Sequence, residues 1–225
     1  MGASGSITTC VLLLRDDHYL NQLATSYCSS KLHLLAVAAS RAVDEDALAA
    51  VNPDLVLSFL NERILKGALL AIPGVNFHPA PPEYPGRGGA SLALFDGQET
   101  YGATAHILLR QIDAGPILAV RRFDISPTDT CDTVYARAEI AALELFFEVV
   151  DRIAEDRRLS SPSKEMWLRN PITRKEFQDW LVLDPSDKNT FIRKVKAAAH
   201  PRFPGPYVDL HGYRFTLYKQ RIKDG

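Results

Sequence analysis

The sequence predicts an α/β fold: a mostly parallel, twisted sheet with helices on both faces, followed by a small C-terminal α+β element. Three observations predict it. Short continuous apolar runs, ITTCVLLL at 7–14, LHLLAVAA at 32–39 and DLVLSFL at 54–60, recur along the first sixty residues, and such runs mark strands buried on both faces. Stretches with helical spacing separate them, and strands alternating with helices give a parallel sheet with right-handed crossovers. A polar break at 156–162 (DRRLSSP) precedes a chain of different character. The expected division is a catalytic domain over 1–158 and a small subdomain, helix plus β-hairpin, over 159–225.

In order, Ile7–Leu14 is expected to be the first strand. Asp16 and Asp17 then open a helix over His18–Cys28, because acidic residues favour a helix N-terminus. Leu32–Ala39 follows as a strand, Arg41–Val51 as a short helix, Asp54–Leu60 as a third strand and Asn61–Ala71 as a helix. Val75–His78 is a short strand. Asn76 and His78 are two apart, so they share one face. Pro79 lacks an N–H and ends regular pairing. Further on, Pro116–Ile125 reads as a strand. Asp132–Asp156 reads as one long helix whose Val134, Ala138, Ala141, Leu145 and Val149 fall on one face. Lys188–Ala199 reads as a helix, and 208–210 with 213–218 as a hairpin turning at His211-Gly212.

Composition narrows the classes. At 225 residues the chain can bury a sizeable core. Twenty-six basic against twenty-seven acidic side chains leave a net charge of −1, which disfavours a general nucleic-acid binder. No apolar run reaches the ~20 residues of a membrane helix. The N-terminal stretch lacks the basic region of a signal peptide. Cys10, Cys28 and Cys131 are widely spaced, without a C-x-x-C pair, and read as reduced, buried thiols in a cytoplasmic protein. The turn after the first strand, Arg15-Asp16-Asp17-His18, has no G-x-G-x-x-G and sets two acids where a pyrophosphate needs open N–H groups. The sheet is Rossmann-like, but a dinucleotide at that turn is not expected.

The chemistry concentrates between 74 and 117. In open α/β sheets ligands bind beyond the carboxyl ends of the strands, where Asn76 and His78 are expected. An Asn amide can donate hydrogen bonds to a developing oxyanion, and a His titrating at ~6.5 can move a proton near neutrality. A buried carboxylate at Asp113 can orient or charge that His. Together the three suit acyl transfer through a tetrahedral intermediate, with no enzyme nucleophile and no metal. Singly, each has an ordinary structural reading as a cap, a loop histidine or a turn residue.

The stretches Asn76-Phe77-His78-Pro79, 81–88 (PPEYPGRG) and Asp113-Ala114-Gly115-Pro116-Ile117, with 101–104 and 125–130 between and after them, resemble the formyltransferases that use N10-formyltetrahydrofolate. The likeness runs over about 50–155. It implies that His78 is the general base, Asn76 the oxyanion donor and Asp113 the support of His78. It further implies that Phe59, Leu60, Arg63, Ile64 and Leu65 line the pterin pocket. Tyr84, Pro85, Gly86, Arg87 and Gly88 are expected to meet the substrate, with His106 as a wall residue of the cleft.

Within that family three acceptors compete. Methionyl-tRNA formyltransferases carry an additional C-terminal domain and basic tRNA contacts, whereas about 65 residues follow Pro162 here. Glycinamide ribonucleotide formyltransferases carry a Gly-rich phosphate loop that 15–18 lacks. The tail, Ile192–Val195 with Ala199–Tyr207, resembles that of the sugar N-formyltransferases. The implied acceptor is therefore a nucleotide-linked amino sugar, with dTDP or GDP left open. Trp167, Trp180, Tyr207 and Tyr213 are candidates for stacking on its base, against a plain aromatic core as the simpler reading for Trp180. A C-terminal hairpin edge could also make a homodimer. A formyl hydrolase and a non-catalytic folate binder remain as alternatives.

Overall fold

A computed structural model describes residues 6–201 and 203–216. β1 (Thr9–Leu14), β2 (His33–Ala39), β3 (Leu55–Phe59) and β4 (Gly74–His78) are parallel; β5 (Thr100–Ile107) and β6 (Ile117–Asp124) extend the sheet antiparallel. The order across the sheet is β2-β1-β3-β4-β5-β6, and a helix, α3 (Gly89–Asp96), joins β4 to β5. Every residue of β3 is buried, as its unbroken apolar run requires. The outer half of β6 carries Arg121 and Arg122 to solvent, which suits an edge strand.

The two faces are covered differently. On one, α1 (Asn21–Lys31) and α4 (Cys131–Asp156) bury Leu12, Leu55, Leu57, Val75 and Phe77. The five positions of α4 expected on one face are all buried. Phe146 of that helix meets Phe59 at 5.4 Å and Phe77 at 5.0 Å, ring centre to ring centre. Such aromatic pairs add roughly 1 kcal/mol each beyond their buried area. Thr130 caps α4 through a reciprocal bond pair with Thr133. On the other face, α2 (Glu45–Ala50) and a 3-10 turn at Ala68–Ala71 cover Val11, Leu13 and Val56. Because side chains alternate, Asn76 and His78 lie on this second face, opposite the aromatic cluster.

Three expected elements differ. The first helix begins at Asn21, not His18. Asp17 adopts a positive φ of 48°, and the Asp16 carboxylate accepts the Arg41 N–H, so the acids build a turn instead of a helix start. The 41–51 stretch divides into a 3-10 turn, Ser40–Ala42, and α2, which Asp44 caps. Asn61–Ala71 is not a helix until Ala68. Leu60 has φ 53°, Asn61 folds onto the Arg63 backbone, and the Glu45 carboxylate takes the N–H groups of Lys66 and Gly67. Those N–H groups are held from outside, so the segment stays an open loop.

After α4 the chain returns across the sheet's carboxyl end. Ser163 donates to the Ile117 carbonyl, Leu168 to Pro82, and Ile172 to Pro85, while Arg87 donates back to Ile172. A helix absent from the sequence reading, α5 (Arg174–Trp180), follows behind a Thr173–Glu176 capping box. Then come α6 (Lys188–Ala198) and the hairpin β7 (Tyr207–Leu210) and β8 (Tyr213–Thr216). The expected last strand residues, 217 and 218, lie outside the described residues, as does position 202.

Candidate active site

β4 ends at His78, and the loop between β5 and β6 brings Asp113 beneath it. Asp113 has φ 42°, an unfavourable conformation for a non-glycine residue. It is held there from two sides. Its Oδ2 accepts the Gly86 N–H at 2.8 Å, and two residues on, Gly115 packs so tightly that a Cβ would lie 1.9 Å from the Ile107 carbonyl.

His78 Nδ1 lies 3.5 Å from Asp113 Oδ2, and His106 Nε2 lies 3.3 Å from Asp113 Oδ1. His106 Nδ1 donates to the Ile107 carbonyl at 2.9 Å. Its Nε2 therefore accepts from the Asn76 amide, 3.1 Å away, when the ring is neutral. Asn76 Oδ1 in turn accepts the Ser58 hydroxyl at 2.8 Å. Ser58, Asn76 and His106 are cross-strand partners on β3, β4 and β5. Hydrogen bonds join Ser58, Asn76 and His106, Asp113 Oδ1 gains a bond from His106 Nε2 only when that ring is protonated, and Asp113 Oδ2 faces His78. The lone pair of His106 Nε2 sets the amide's orientation and takes one of its two N–H groups.

Electrostatics follow from burial. Burial lowers the titration of His78 below its usual 6.5, and His106 and Arg87 add to that, while Asp113 opposes it. His78 is therefore neutral at pH 7, as a base must be. Burial alone would raise the Asp113 carboxyl, but His78, His106 and the Gly86 N–H together hold it down to about 2. An ionised Asp113 favours the His78 proton on Nδ1. The other ring nitrogen, Nε2, lies 3.4 Å from the Tyr84 carbonyl, which opposes the lowering by burial, and Nε2 is basic when the proton is on Nδ1.

These residues open on a cavity of about 1140 Å³. Its lining includes Leu60, Arg63, Ile64 and Leu65 from the open loop, Leu108–Ile112 beyond β5, and Gly86–Ala90, Ile172, Phe177, Tyr135, His200 and Phe203. Ile64, Leu109 and Ile112 are large apolar residues left exposed. Among the described residues no group of three or more His, Cys, Asp or Glu is arranged to hold a metal ion.

Several expected site residues are elsewhere. Phe59 is fully buried in the aromatic core, because it alternates with Ser58 and faces α4. Tyr84 is 2% exposed and donates its hydroxyl to Asp96. Pro85 is also outside the cavity lining and serves as acceptor for Ile172. His106, by contrast, is among the residues lining the cavity, though only 2% exposed, and sits between Asn76 and Asp113. Of the aromatic candidates, Trp180 stacks on Phe177 in a small core, Tyr207 is buried with its hydroxyl on the Gln178 carbonyl, and Tyr213 is exposed. Trp167 lies edge-on to His106 and His78 at 5.1 and 6.4 Å. Ser58 was missed. Its trace in the sequence is one hydroxyl inside an apolar run, on the strand next to that of Asn76. Tyr135 and Phe203 left no such trace.

A mostly parallel sheet carrying an amide, an imidazole and a carboxylate at its carboxyl end defines a group-transferring enzyme. Residues 18–150 match the model of the family described as formyl transferase. The chain belongs to the formyl transferase family.

Solved structures share the fold. A sugar N-formyltransferase from a Shewanella species superposes with a TM-score of 0.75 at 16% identity, over 95% of this chain and 97% of that one. A methionyl-tRNA formyltransferase from Clostridium thermocellum gives 0.66 at 15% identity, over 97% and 95%. The formyltransferase PseJ from Anoxybacillus kamchatkensis, solved with UDP-4,6-dideoxy-4-formamido-L-AltNAc and tetrahydrofolate, gives 0.60 at 18% identity, over 76% and 89%.

Proposed function

We propose that this enzyme moves a formyl group from N10-formyltetrahydrofolate to the amino group of a nucleotide-linked amino deoxysugar, carried on dTDP or GDP and destined for surface polysaccharide. The observation that carries the reading is one cavity whose lining takes in Asn76, His78 and Asp113 together with apolar residues at 60–65 and 108–112 and the aromatic Tyr135 and Phe203. The apolar lining suits the folate. Tyr135 and Phe203 stand at 5.8 Å, and the Arg15 guanidinium lies 5.7 Å from the Phe203 ring centre. Aromatic faces beside a cation suit a nucleotide base and its diphosphate. Arg15 is partly neutralised by Glu139 at 2.9 Å and Glu62 at 3.3 Å, so the aromatic rings carry more of this argument than the charge.

In this reading the neutral amine attacks the formyl carbon. The remaining N–H of Asn76 meets the oxygen as it becomes negative. His78 Nε2 takes the amine's proton, and Asp113 stabilises the imidazolium that forms. The bond from the formyl carbon to N10 then breaks, and the proton returns to N10. Three buried thiols suit a reducing cytoplasm. The exposed Leu210, Tyr213 and Phe215 on the terminal hairpin suit a homodimer.

The test is a panel of amino-sugar nucleotides incubated with N10-formyltetrahydrofolate and read by mass gain of one formyl group. Gain on one such sugar, with Phe203→Ala raising its KM and leaving tetrahydrofolate binding unchanged, is the expected result. Gain on methionyl-tRNA alone, or formate release without any amine, would replace the sugar by tRNA or water as acceptor.

A further inference from the structure

The catalytic chain of side chains has a back wall, and that wall comes from the returning segment after α4. Trp167 Nε1–H donates to the Gly115 carbonyl at 2.8 Å, two residues from Asp113. Its ring stands nearly perpendicular to His106 at 5.1 Å, interplanar angle 84°, and edge-on to His78 at 6.4 Å. Behind it a second cavity of about 490 Å³ reaches Asp113 and Ala114 past Trp167 and Arg169. Neither histidine lines that cavity, whereas Trp167, whose ring contacts both, does. The residues flanking Trp167 are laced to the proline-rich loop, through Leu168 to Pro82 and Ile172 to Pro85, so the ring has little freedom to leave.

We propose that Trp167 is a positioning residue: it closes the rear of the His78–Asp113–His106 group and fixes the turn that carries Asp113. The claim rests on the reading that His78 and Asp113 handle the proton in formyl transfer, but its two halves are separable by experiment. The indole N–H fixes the turn, and the indole ring excludes water. Asp113 sits at a positive φ, so its turn needs such an external tether. The groups facing His78 are Asp113, His106 and Arg87, and burial is the largest influence on its titration. Readmitting water from behind therefore moves His78 upward, toward 6.5.

The experiment follows the His78 ring proton by NMR through a pH titration, in wild type, Trp167→Phe and Trp167→Ala, beside kcat and KM for both substrates. Trp167→Phe keeps the ring and loses the N–H. It is expected to leave the His78 midpoint in place and to lower kcat by about 3- to 10-fold, as for a small misplacement of a reacting group. Trp167→Ala loses both. Its His78 midpoint is expected to rise by about half a unit or more, with kcat down about 10- to 100-fold and the KM for the folate unchanged. Should the alanine variant not fold, Trp167→Leu gives the same comparison with the wall half filled. A His78 midpoint that stays put in both Trp167→Ala and Trp167→Leu overturns the proposal. The titration does not depend on turnover, so failure of the proposed function would show separately, as a wild type that formylates no amine while the midpoint still moves.

Discussion

Replacing Asp113 by Asn removes one charge and leaves an amide oxygen for the Gly86 N–H. The contact at stake is Asp113 Oδ2 to His78 Nδ1, at 3.5 Å. Coulomb's law at that distance, with an effective dielectric of about 20, gives about 5 kcal/mol between full charges. If roughly half the proton's charge has reached His78 in the transition state, about 2.4 kcal/mol of stabilisation is lost, which is roughly a 60-fold fall in kcat. Asp113 also raises the titration of His78, so its removal lowers that titration further. The acid limb of the pH–rate profile then moves to lower pH, even as the plateau falls. The assay is initial-rate kinetics from pH 5 to 9 with saturating N10-formyltetrahydrofolate, beside calorimetric binding of tetrahydrofolate, expected to change less than about 3-fold because the Asp113 carboxylate is engaged by Gly86, His78 and His106. A plateau within about 3-fold of wild type, or an acid limb moving upward, would refute a role for Asp113 in charging His78.

Other outcomes follow from the same geometry. In the proposed mechanism Asn76→Ala removes the oxyanion donor, and it is expected to lower kcat by about 10²- to 10³-fold with KM nearly constant, by single-turnover kinetics. In wild type the acid limb of kcat/KM should fall below pH 6.5, since burial lowers His78; a midpoint above 7 would contradict that. Stability should show Asp113 too. Its carboxyl is held at about 2 in the fold, against about 3.9 unfolded, so its contribution is complete above pH 4 and fades as pH falls toward 2. Urea unfolding should find wild type about 2 kcal/mol more stable than Asp113→Asn at pH 5, with the gap narrowing by pH 3. Cys10, Cys28 and Cys131 are all buried, so native protein should react with a thiol reagent only as fast as it opens, and fully in urea.

Much of the fold was legible because strands buried on both faces leave unbroken apolar runs, as in β1 and β3, and because α4 is long enough for its periodicity to be plain. The loop at 60–67 was not. Its Ile64-Leu65 spacing imitates a helix, and what prevents the helix is the Glu45 carboxylate on α2. At the site, alternation along β4 was enough to pair Asn76 with His78. It could not show that His106 sits opposite Asn76, because the β4–β5 register is set by the intervening residues 79–99. Phe59 and Tyr84 were drawn into the site with the family-like loops that hold them, whereas their side chains project away from it. Trp167 was singled out only as a stacking aromatic. Its neighbour Gly115 is 52 residues distant in the chain, His106 and His78 are farther still, and no local pattern announces them.

The bonds from Leu168 and Ile172 to the proline-rich loop make the tail and the catalytic sheet a single working part. Acceptor choice is commonly re-engineered by exchanging terminal segments between relatives. Here a graft joined near residue 159 would import a foreign partner for Pro82, Pro85 and Arg87 and remove the indole behind His78. Such chimeras should therefore lose turnover on every acceptor before they gain a new one. A crossover placed after Ile172 keeps those contacts and exchanges only α5, α6 and the hairpin.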